Sequence, residues 1–179
     1  MAITRLGGAN AITGTIPTSV APGKGKVLQV VSNGTRYYQT FGSTSYTDME
    51  TSSGVTFESA ITPSTTSNKI FIMPNINVRA YDSNANESRY KIKAQYKVGS
   101  GSYTDTVLES IQMGVYDYGA HGILISQMYS NNYLLSPNTT DEVKIKFQLA
   151  KNASTVNLNT NPTNTDSLST VTLMEIQAW

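Results

Sequence analysis

The residues best able to do chemistry are few: one histidine, twelve carboxylates and no cysteine. His121 could serve in a Ser-His-Asp set only beside a nucleophile, and the sequence shows no nucleophile-elbow motif. Asp48 and Glu50 would share one face of a strand, whereas a glycosidase pair needs acids that converge from separate elements. The sequence Gly-Lys-Gly-Lys at 23–26 lacks the spacer and the Ser or Thr of a phosphate loop. We therefore expect no enzymatic activity, no metal and no cofactor.

A second group of candidates is basic. In the segments 89–98 and 143–150, apolar residues alternate with Arg, Lys or Gln, and alternate side chains of a strand point to opposite faces. If the two strands are neighbours, their cations share one surface that could bind an acidic protein or an anionic glycan. Alternatively, lysines on exposed strands keep a sheet soluble and block pairing at its edges. The cations are Arg89, Lys91, Lys93, Lys97, Lys144 and Lys146.

Tyrosines on either side of the histidine form a third candidate group. Tyrosine rings at strand ends can stack on sugar rings, which predicts glycan contact. The alternative is that each ring is buried at a sheet margin with its hydroxyl in water. The residues are Tyr116, Tyr118, His121, Tyr129 and Tyr133.

These side chains need a scaffold, and the composition indicates strands. Ser, Thr and Asn make up about a third of the chain, and only 14% of its residues are charged. Thr is β-branched, while Ser and Asn compete for backbone hydrogen bonds inside a helix. From Lys26 onward, short strand-like runs alternate with turn clusters. This pattern predicts an all-β fold, an antiparallel β-sandwich of about ten strands with one wet face on each sheet.

Individual strands can be predicted as well. Residues 27–31 lead into Asn33-Gly34, a hairpin signal, with 36–41 as the returning strand. Pro74 interrupts the run 69–81, which we expect to be bent or at a sheet edge. Within 102–112 the apolar spacing also allows a short helical turn before a strand from Ile111. The other expected strands are 45–49, 55–61, 89–98, 111–118, 123–129, 143–150 and 170–178.

Residues 1–23 differ from this module. They are rich in Gly, Thr, Ala and Pro and fit neither helix nor strand for long, which predicts an extended arm that ends at the Pro22-Gly23 turn. Isolated aliphatic side chains on an arm make physical sense when they dock on another surface. They are Ile3, Leu6, Ile12, Ile16 and Val20. The expected division is therefore an arm at 1–23 and a β-sandwich domain at 24–179.

The net charge and the apolar runs of the whole chain limit the classes of partner that we expect. The net charge of +1 does not steer the protein towards nucleic acid or an acidic membrane. The first residues lack the apolar stretch of a secretory signal. The apolar run at 70–73 is far shorter than the ~18 residues that span a bilayer. We expect a soluble protein with no nucleic-acid partner and no membrane insertion.

Several segments, taken in order, resemble tailed-phage virion structural proteins, particularly those of marine and cyanobacterial phages. Together they make up about a third of the chain, and the region 82–168 has no counterpart in the pattern. The segments are MAITRLGGANAITGTIP at 1–17, GKVLQVVS at 25–32, SYTDM at 45–49, SAITPSTTSNKIFIM at 59–73 and TVTLMEI at 170–176.

The resemblance implies an N-terminal arm followed by a β-jelly-roll-like module in a virion. Such modules are commonly homotrimers, and their arms often anchor them to the particle, which would make the five arm aliphatics the anchoring residues. We therefore expect a tail fibre or appendage module, folded in the host cytoplasm and then assembled with other virion proteins. The alternatives are a capsid decoration protein that clamps shell subunits and a glycan-binding module that recognises a host receptor.

Overall fold

The protein is described by a computed structural model that covers residues 25–82, 87–106, 111–116, 123–151, 157–160 and 167–178. This part of the chain consists of strands and irregular connections without any helix. Consequently it offers no helix that is long and apolar enough to cross a membrane. The strands are β1 (Val27–Thr35), β2 (Gln39–Thr40), β3 (Thr47–Asp48), β4 (Glu50–Ser52), β5 (Val55–Thr56), β6 (Glu58–Ile61), β7 (Lys69–Asp82), β8 (Glu87–Val98), β9 (Thr104–Asp105), β10 (Ile111–Tyr116), β11 (Ile123–Tyr129), β12 (Tyr133–Leu135), β13 (Val143–Lys151), β14 (Asn157–Thr160) and β15 (Ser169–Ile176).

The first sheet is organised around β7, a strand of 14 residues. Its strand order is β1-β15-β7-β14-β2, and β11 and β12 also pair with β7. All of these pairs are antiparallel. The first half of β7 lies between β15 and β12, and its second half lies between β14 and β11. One long strand therefore joins two overlapping sets of shorter strands.

The second sheet is built around β8 and β13. Its order is β10-β8-β13-β3, with β6 paired to β13 and β9 paired to β8, again antiparallel throughout. The β8–β13 ladder runs from Val143 opposite Val98 to Lys151 opposite Tyr90. A separate small hairpin joins β4 and β5 through Gly54, whose φ of 77° favours glycine.

The core lies between the inner faces of the two sheets. Tyr129 of the first sheet meets Phe147 of the second edge-to-face, with ring centroids 6.4 Å apart. The alternation predicted for β8 and β13 is confirmed, because their apolar residues point inward and their lysines and glutamines point outward. The all-β class and the antiparallel sandwich are confirmed with it. Buried residues from both sheets include Ile70, Ile72, Ile76, Val78, Leu173, Tyr90, Ile92, Ala94, Val143, Ile145 and Leu149.

The dipeptide Asn33-Gly34 does not form the predicted hairpin. Strand β1 runs through it to Thr35 and pairs with β15, from the other end of the chain. The Asn33 amide donates to the Glu58 carbonyl at 3.2 Å. A Cβ on Gly34 would come 3.0 Å from Leu168 Cδ1, so glycine at this position permits a close approach rather than a turn. The hairpin prediction is wrong because long-range pairing overrides the local turn signal.

Pro74 lies in a central strand, so of the two predicted alternatives, a bend or an edge position, the edge position is wrong. Two strands pair with the same flank of β7. The β12 ladder ends where Tyr133 lies opposite Ile72, and the β11 ladder begins where Tyr129 lies opposite Ile76. Residues 130–132 leave a break in the ladder between these two points. Proline is tolerated beside such a break because a missing N–H matters least where no strand pairs.

The remaining strand predictions are mostly confirmed. Every strand of six or more residues overlaps a predicted one, including β10 from Ile111. The short strands β4, β9, β12 and β14 were not predicted. The helical turn considered before Ile111 would fall on 107–110, and the arm on 1–23, and both lie outside the described residues.

Candidate functional site

The outer side of β8 and β13 carries the lysines singled out in the sequence. The ladder sets Lys144 opposite Lys97, Lys146 opposite Gln95 and Lys93 opposite Gln148. These positions alternate with the buried ones, and because β8 and β13 are neighbours the two basic rows lie on one surface. The side chain of Arg89 lies outside the described residues. We call the surface formed by Lys91, Lys93, Lys97, Lys144 and Lys146 the lysine face.

Carboxylates from neighbouring strands pair with the lysine face. Strand β3 sets Asp48 opposite Gln148, and β9 sets Asp105 opposite Gln95. Lys146 Nζ lies 2.8 Å from the Asp48 carboxylate, which also accepts from Gln148 Nε2 at 2.6 Å. Asp105 Oδ1 likewise accepts from Lys93 Nζ at 2.8 Å and from Gln95 Nε2 at 2.7 Å. Each of these two acids therefore holds one lysine and one amide.

Acids at the end of the ladder hold the third paired lysine. Lys144 Nζ is 3.8 Å from Glu58 Oε2 and 3.6 Å from Glu142 Oε1. These contacts are longer and more exposed than those of Lys146, so solvent screens them more strongly.

Tyrosine rings lie under three of the ammonium groups. Lys97 Nζ and Lys146 Nζ are 4.7 and 4.3 Å from the ring centroid of Tyr103, and Lys93 Nζ is 4.6 Å from that of Tyr46. The Tyr103 hydroxyl donates to Glu58 Oε1. Burial, followed by this bond and the nearby negative charges, raises the pKa of Tyr103 well above its ordinary value. The phenol therefore stays protonated and keeps its role as a donor.

The lysine face is close to neutral within the described residues. Three of its five lysines pair with Asp48, Glu58, Asp105 and Glu142, so these four carboxylates offset all but one of the five positive charges. Lys146 is only 9% exposed. Such a surface offers little cationic surplus to an acidic partner, and the geometry favours the alternative in which these lysines stabilise the sheet itself.

The tyrosine group does not converge as a described site. Tyr129 is 1% exposed, and burial raises its pKa to about 12. Its ring belongs to the core, so the prediction that Tyr129 contacts a glycan is wrong. Tyr133 is partly buried and packs against the core. The side chains of Tyr116, Tyr118 and His121 lie outside the described residues, as do the arm aliphatics Ile3, Leu6, Ile12, Ile16 and Val20.

The outer side of the first sheet has a different character. Val30 of β1, Met174 of β15, Phe71 of β7 and Leu134 of β12 are successive cross-strand partners. They form one apolar row across four strands, and Val30 and Leu134 at its two ends are exposed. Ile176 and Met73 lie on the same side in the adjoining rows, where Lys69 is the one charged partner. We call Val30, Phe71, Met73, Leu134, Met174 and Ile176 the apolar face.

The apolar face ends at an unpaired strand edge. Strand β1 pairs with β15 on one side, and no strand of the described residues pairs with its other side. Val27, Leu28 and Val30 are 45%, 41% and 55% exposed. Exposed apolar patches of this kind mark interaction surfaces. An open edge is in addition a template for pairing with another chain.

A buried carboxylate lies on the inner side of the same sheet. Glu175 is 2% exposed, and its Oε1 accepts from Ser64 N at 2.6 Å, Ser64 Oγ at 2.7 Å and Asn68 Nδ2 at 2.6 Å. Burial by itself would raise the pKa of Glu175, but these hydrogen bonds outweigh it and lower the pKa. A pocket of about 410 Å³ opens nearby, between Leu28, Asn68 and Gln177. Oε1 of Glu175 thus ties the 62–68 loop to β15, which is a structural role.

Comparisons with known proteins add the following. No protein-family model matches the chain, and no curated protein matches its sequence. Among solved structures, one of the infectious bursal disease virus Gx strain is similar at 10% identity and a TM-score of 0.32, covering 81% of this chain and 32% of that one. The infectious bursal disease virus VP2 subviral particle is similar at 10% identity and a TM-score of 0.34, covering 84% and 38%. This chain thus spans less than two fifths of the length of either structure, and likeness at this level does not extend to function.

The apolar face was missed in the sequence, although a signal was present. The segments Phe-Ile-Met at 71–73 and Leu-Met-Glu-Ile at 173–176 place apolar residues at both parities of a strand. A strand with one wet face should be apolar at one parity only.

Within the described residues, no three His, Cys, Asp or Glu side chains are grouped as a metal site.

Proposed function

We propose that this protein is a virion structural protein, a homotrimeric tail fibre or appendage module anchored to a phage particle by residues 1–23. The observation that carries the proposal is the apolar face with its open β1 edge, because a sheet surface of this kind is stabilised by covering it with another protein surface. Closed symmetric assembly would cover both the face and the edge.

The sequence supports the same role independently. The segments that resemble phage virion proteins include the arm, and they include β1 and β15, the strands that carry the open edge and part of the apolar face. Folding in the host cytoplasm is compatible with a chain that has no cysteine, since no disulfide has to form. The proposed role is non-enzymatic, and the proposed partners are other virion proteins and further copies of this chain.

Two measurements test the proposal. Mass spectrometry and a reconstruction of purified particles should find this chain in the particle, in threefold-related copies on the tail. Light scattering of the isolated protein should give the mass of a trimer. A chain that is monomeric at every concentration and absent from the particles would contradict the proposal.

Deletion of residues 1–22 separates the appendage from the capsid decoration alternative. An isolated appendage head without its arm should still adsorb to host cells, since its outer end carries the receptor contact. A decoration protein that uses its arm to clamp shell subunits should lose the capsid when the arm is removed. Loss of capsid binding, without any cell binding of the intact protein, would favour the decoration role.

A further inference from the structure

The open edge of β1 is unusually suited to accept another strand. Proteins commonly block such an edge with lysines, proline or a very short strand. Residues 27–34 of β1 contain no charge and no proline, and the strand is nine residues long. Its one irregularity in register lies at the start, between Val27 and Gln29. A second strand could therefore pair along most of its length.

The N-terminal arm has the composition that this edge and face require. Residues 6–23 contain no charged side chain, which matches an apolar surface with a single lysine at its border. Between residues 12 and 20, Ile12, Ile16 and Val20 share one parity, so in an extended chain all three point to the same side. Pro17 has the other parity, and its missing N–H would face away from β1 when the even residues pair with it.

The arm is also long enough to pair along β1, and the described chain begins next to the apolar face. The described residues begin at Gly25, whose N–H donates to the Gln177 carbonyl at 3.1 Å, beside the border of the apolar face. At ~3.3 Å per residue, ten extended residues span about 33 Å, which is the length of a strand such as β1.

Local geometry disfavours pairing of the arm with its own β1. A self-pairing arm would have to reverse between Val20 and Val27, and the shortest way to do so is a two-residue hairpin centred on Pro22-Gly23. Tight hairpins use type I′ or II′ turns, which need a positive φ at the first central residue, whereas proline holds φ near −65°. The shortest connection for self-pairing is therefore disfavoured, whereas the arm of a neighbouring molecule reaches the open edge without any reversal of the chain. Exchange of arms around a ring would also allow threefold closure, which self-pairing of two β1 edges cannot provide.

We propose that residues 11–20 of a second copy of this chain pair with the open edge of β1 and place Ile12, Ile16 and Val20 beside Val30 of the apolar face. The inference rests on the proposed role as an assembling structural protein and divides the arm: residues 11–20 join neighbouring copies, and residues 1–10, with Ile3 and Leu6, remain for the contact with the particle.

Cross-linking between single cysteines tests the proposal, because the natural chain contains no cysteine. One full-length protein carries Ile16→Cys and a size tag, and a second carries Val30→Cys. The two are mixed, allowed to exchange and treated with a short bis-maleimide. The expected product is a covalent heterodimer that contains one tagged and one untagged chain. Val55→Cys replaces Val30→Cys in the matched control, because Val55 is 53% exposed but lies in the separate β4–β5 hairpin. That control should give less than a tenth of the product.

Two results would overturn the inference. The first is a link within one chain of the double variant Ile16→Cys/Val30→Cys at high dilution, which would mean that the arm covers its own edge. The second is equal cross-linking of Val30→Cys and Val55→Cys, which would mean that the arm has no preferred site. Either result leaves the virion role standing if the chain is found in particles, so the two proposals fail separately.

Discussion

The outer faces of the two sheets differ in the chemistry of their side chains and in how far those side chains are paired. On the second sheet, lysines meet carboxylates and tyrosine rings from adjacent strands, and Lys146 is left almost without exposure. On the first sheet, an apolar row crosses four strands and ends at an unpaired edge. One face pairs most of its own charges, and the other leaves apolar side chains and a strand edge uncovered. The uncharged face is therefore the stronger candidate for an interaction surface.

The largest expected effect is on the self-satisfied face. Asp48→Ala leaves the Lys146 ammonium without its carboxylate in a place that water scarcely reaches, which should cost about 3 kcal/mol of unfolding free energy. Urea denaturation measures this loss. In the double variant Asp48→Ala/Lys146→Met, at least half of it should be recovered, because no unpaired charge remains. A loss below about 0.5 kcal/mol, as for an ordinary surface substitution, would mean that Lys146 is well solvated and that the lysine face is open to partners.

The next effect is on the apolar face. Val30→Lys places a charge on the uncovered apolar row. The association constant for self-association should therefore fall about tenfold or more, and each factor of ten corresponds to about 1.4 kcal/mol. Sedimentation equilibrium measures the association, and urea denaturation should show little change in unfolding free energy. Val55→Lys is the matched control, since its exposure of 53% is close to the 55% of Val30. Equal weakening by both variants would remove the distinction between the two faces.

A third prediction concerns the buried acid Glu175 of the first sheet. The pKa of Glu175 is lowered in the folded state. Its contribution to stability is therefore complete above the unfolded pKa, near 4.5, and is lost as the pH falls through the lower folded value. Glu175→Gln should flatten the fall in urea midpoint on going from pH 5 to pH 3.

Salt provides the control for this third prediction. The donors to Glu175 are the neutral groups of Ser64 and Asn68, so added salt should change the acid loss very little. The pairs of Lys144 are more exposed and should respond to salt. An unchanged acid profile in Glu175→Gln would assign the loss to other carboxylates.

The smallest expected effect is at Tyr103. Tyr103→Phe removes the hydroxyl that donates to Glu58 but keeps the ring beneath Lys97 and Lys146, and should cost about 1 kcal/mol. Tyr103→Ala removes the ring as well and should cost more. Urea denaturation ranks the two variants, and neither should alter self-association. Weaker association in Tyr103→Phe would place the partner on the lysine face instead.

Strand β13 shows which features of the structure can be predicted from the local sequence pattern and which cannot. The alternation of Val143, Ile145, Phe147 and Leu149 with polar residues identified both the strand and its buried side. The alternation could not identify Asp48 and Asp105 as the acids opposite these lysines, because they arrive on β3 and β9 through the register of separate pairings. The same limit explains the wrong hairpin at Asn33-Gly34, where β15 offered a longer ladder than a local turn could.

The sequence by itself determined the all-β class, most of the long strands and the inward side of β8 and β13, because strand periodicity and turn chemistry are properties of neighbouring residues. Only the tertiary structure decided that the charges on the outer face of the second sheet are paired and that the apolar side chains on the outer face of the first sheet are left uncovered. That outcome depends on which distant strands lie side by side and in what register, as when Val30, Met174, Phe71 and Leu134 come together from four parts of the chain. A single residue slip in any of those ladders would exchange the inner and outer sides of a strand, so the apolar face is a property of the assembled sheet.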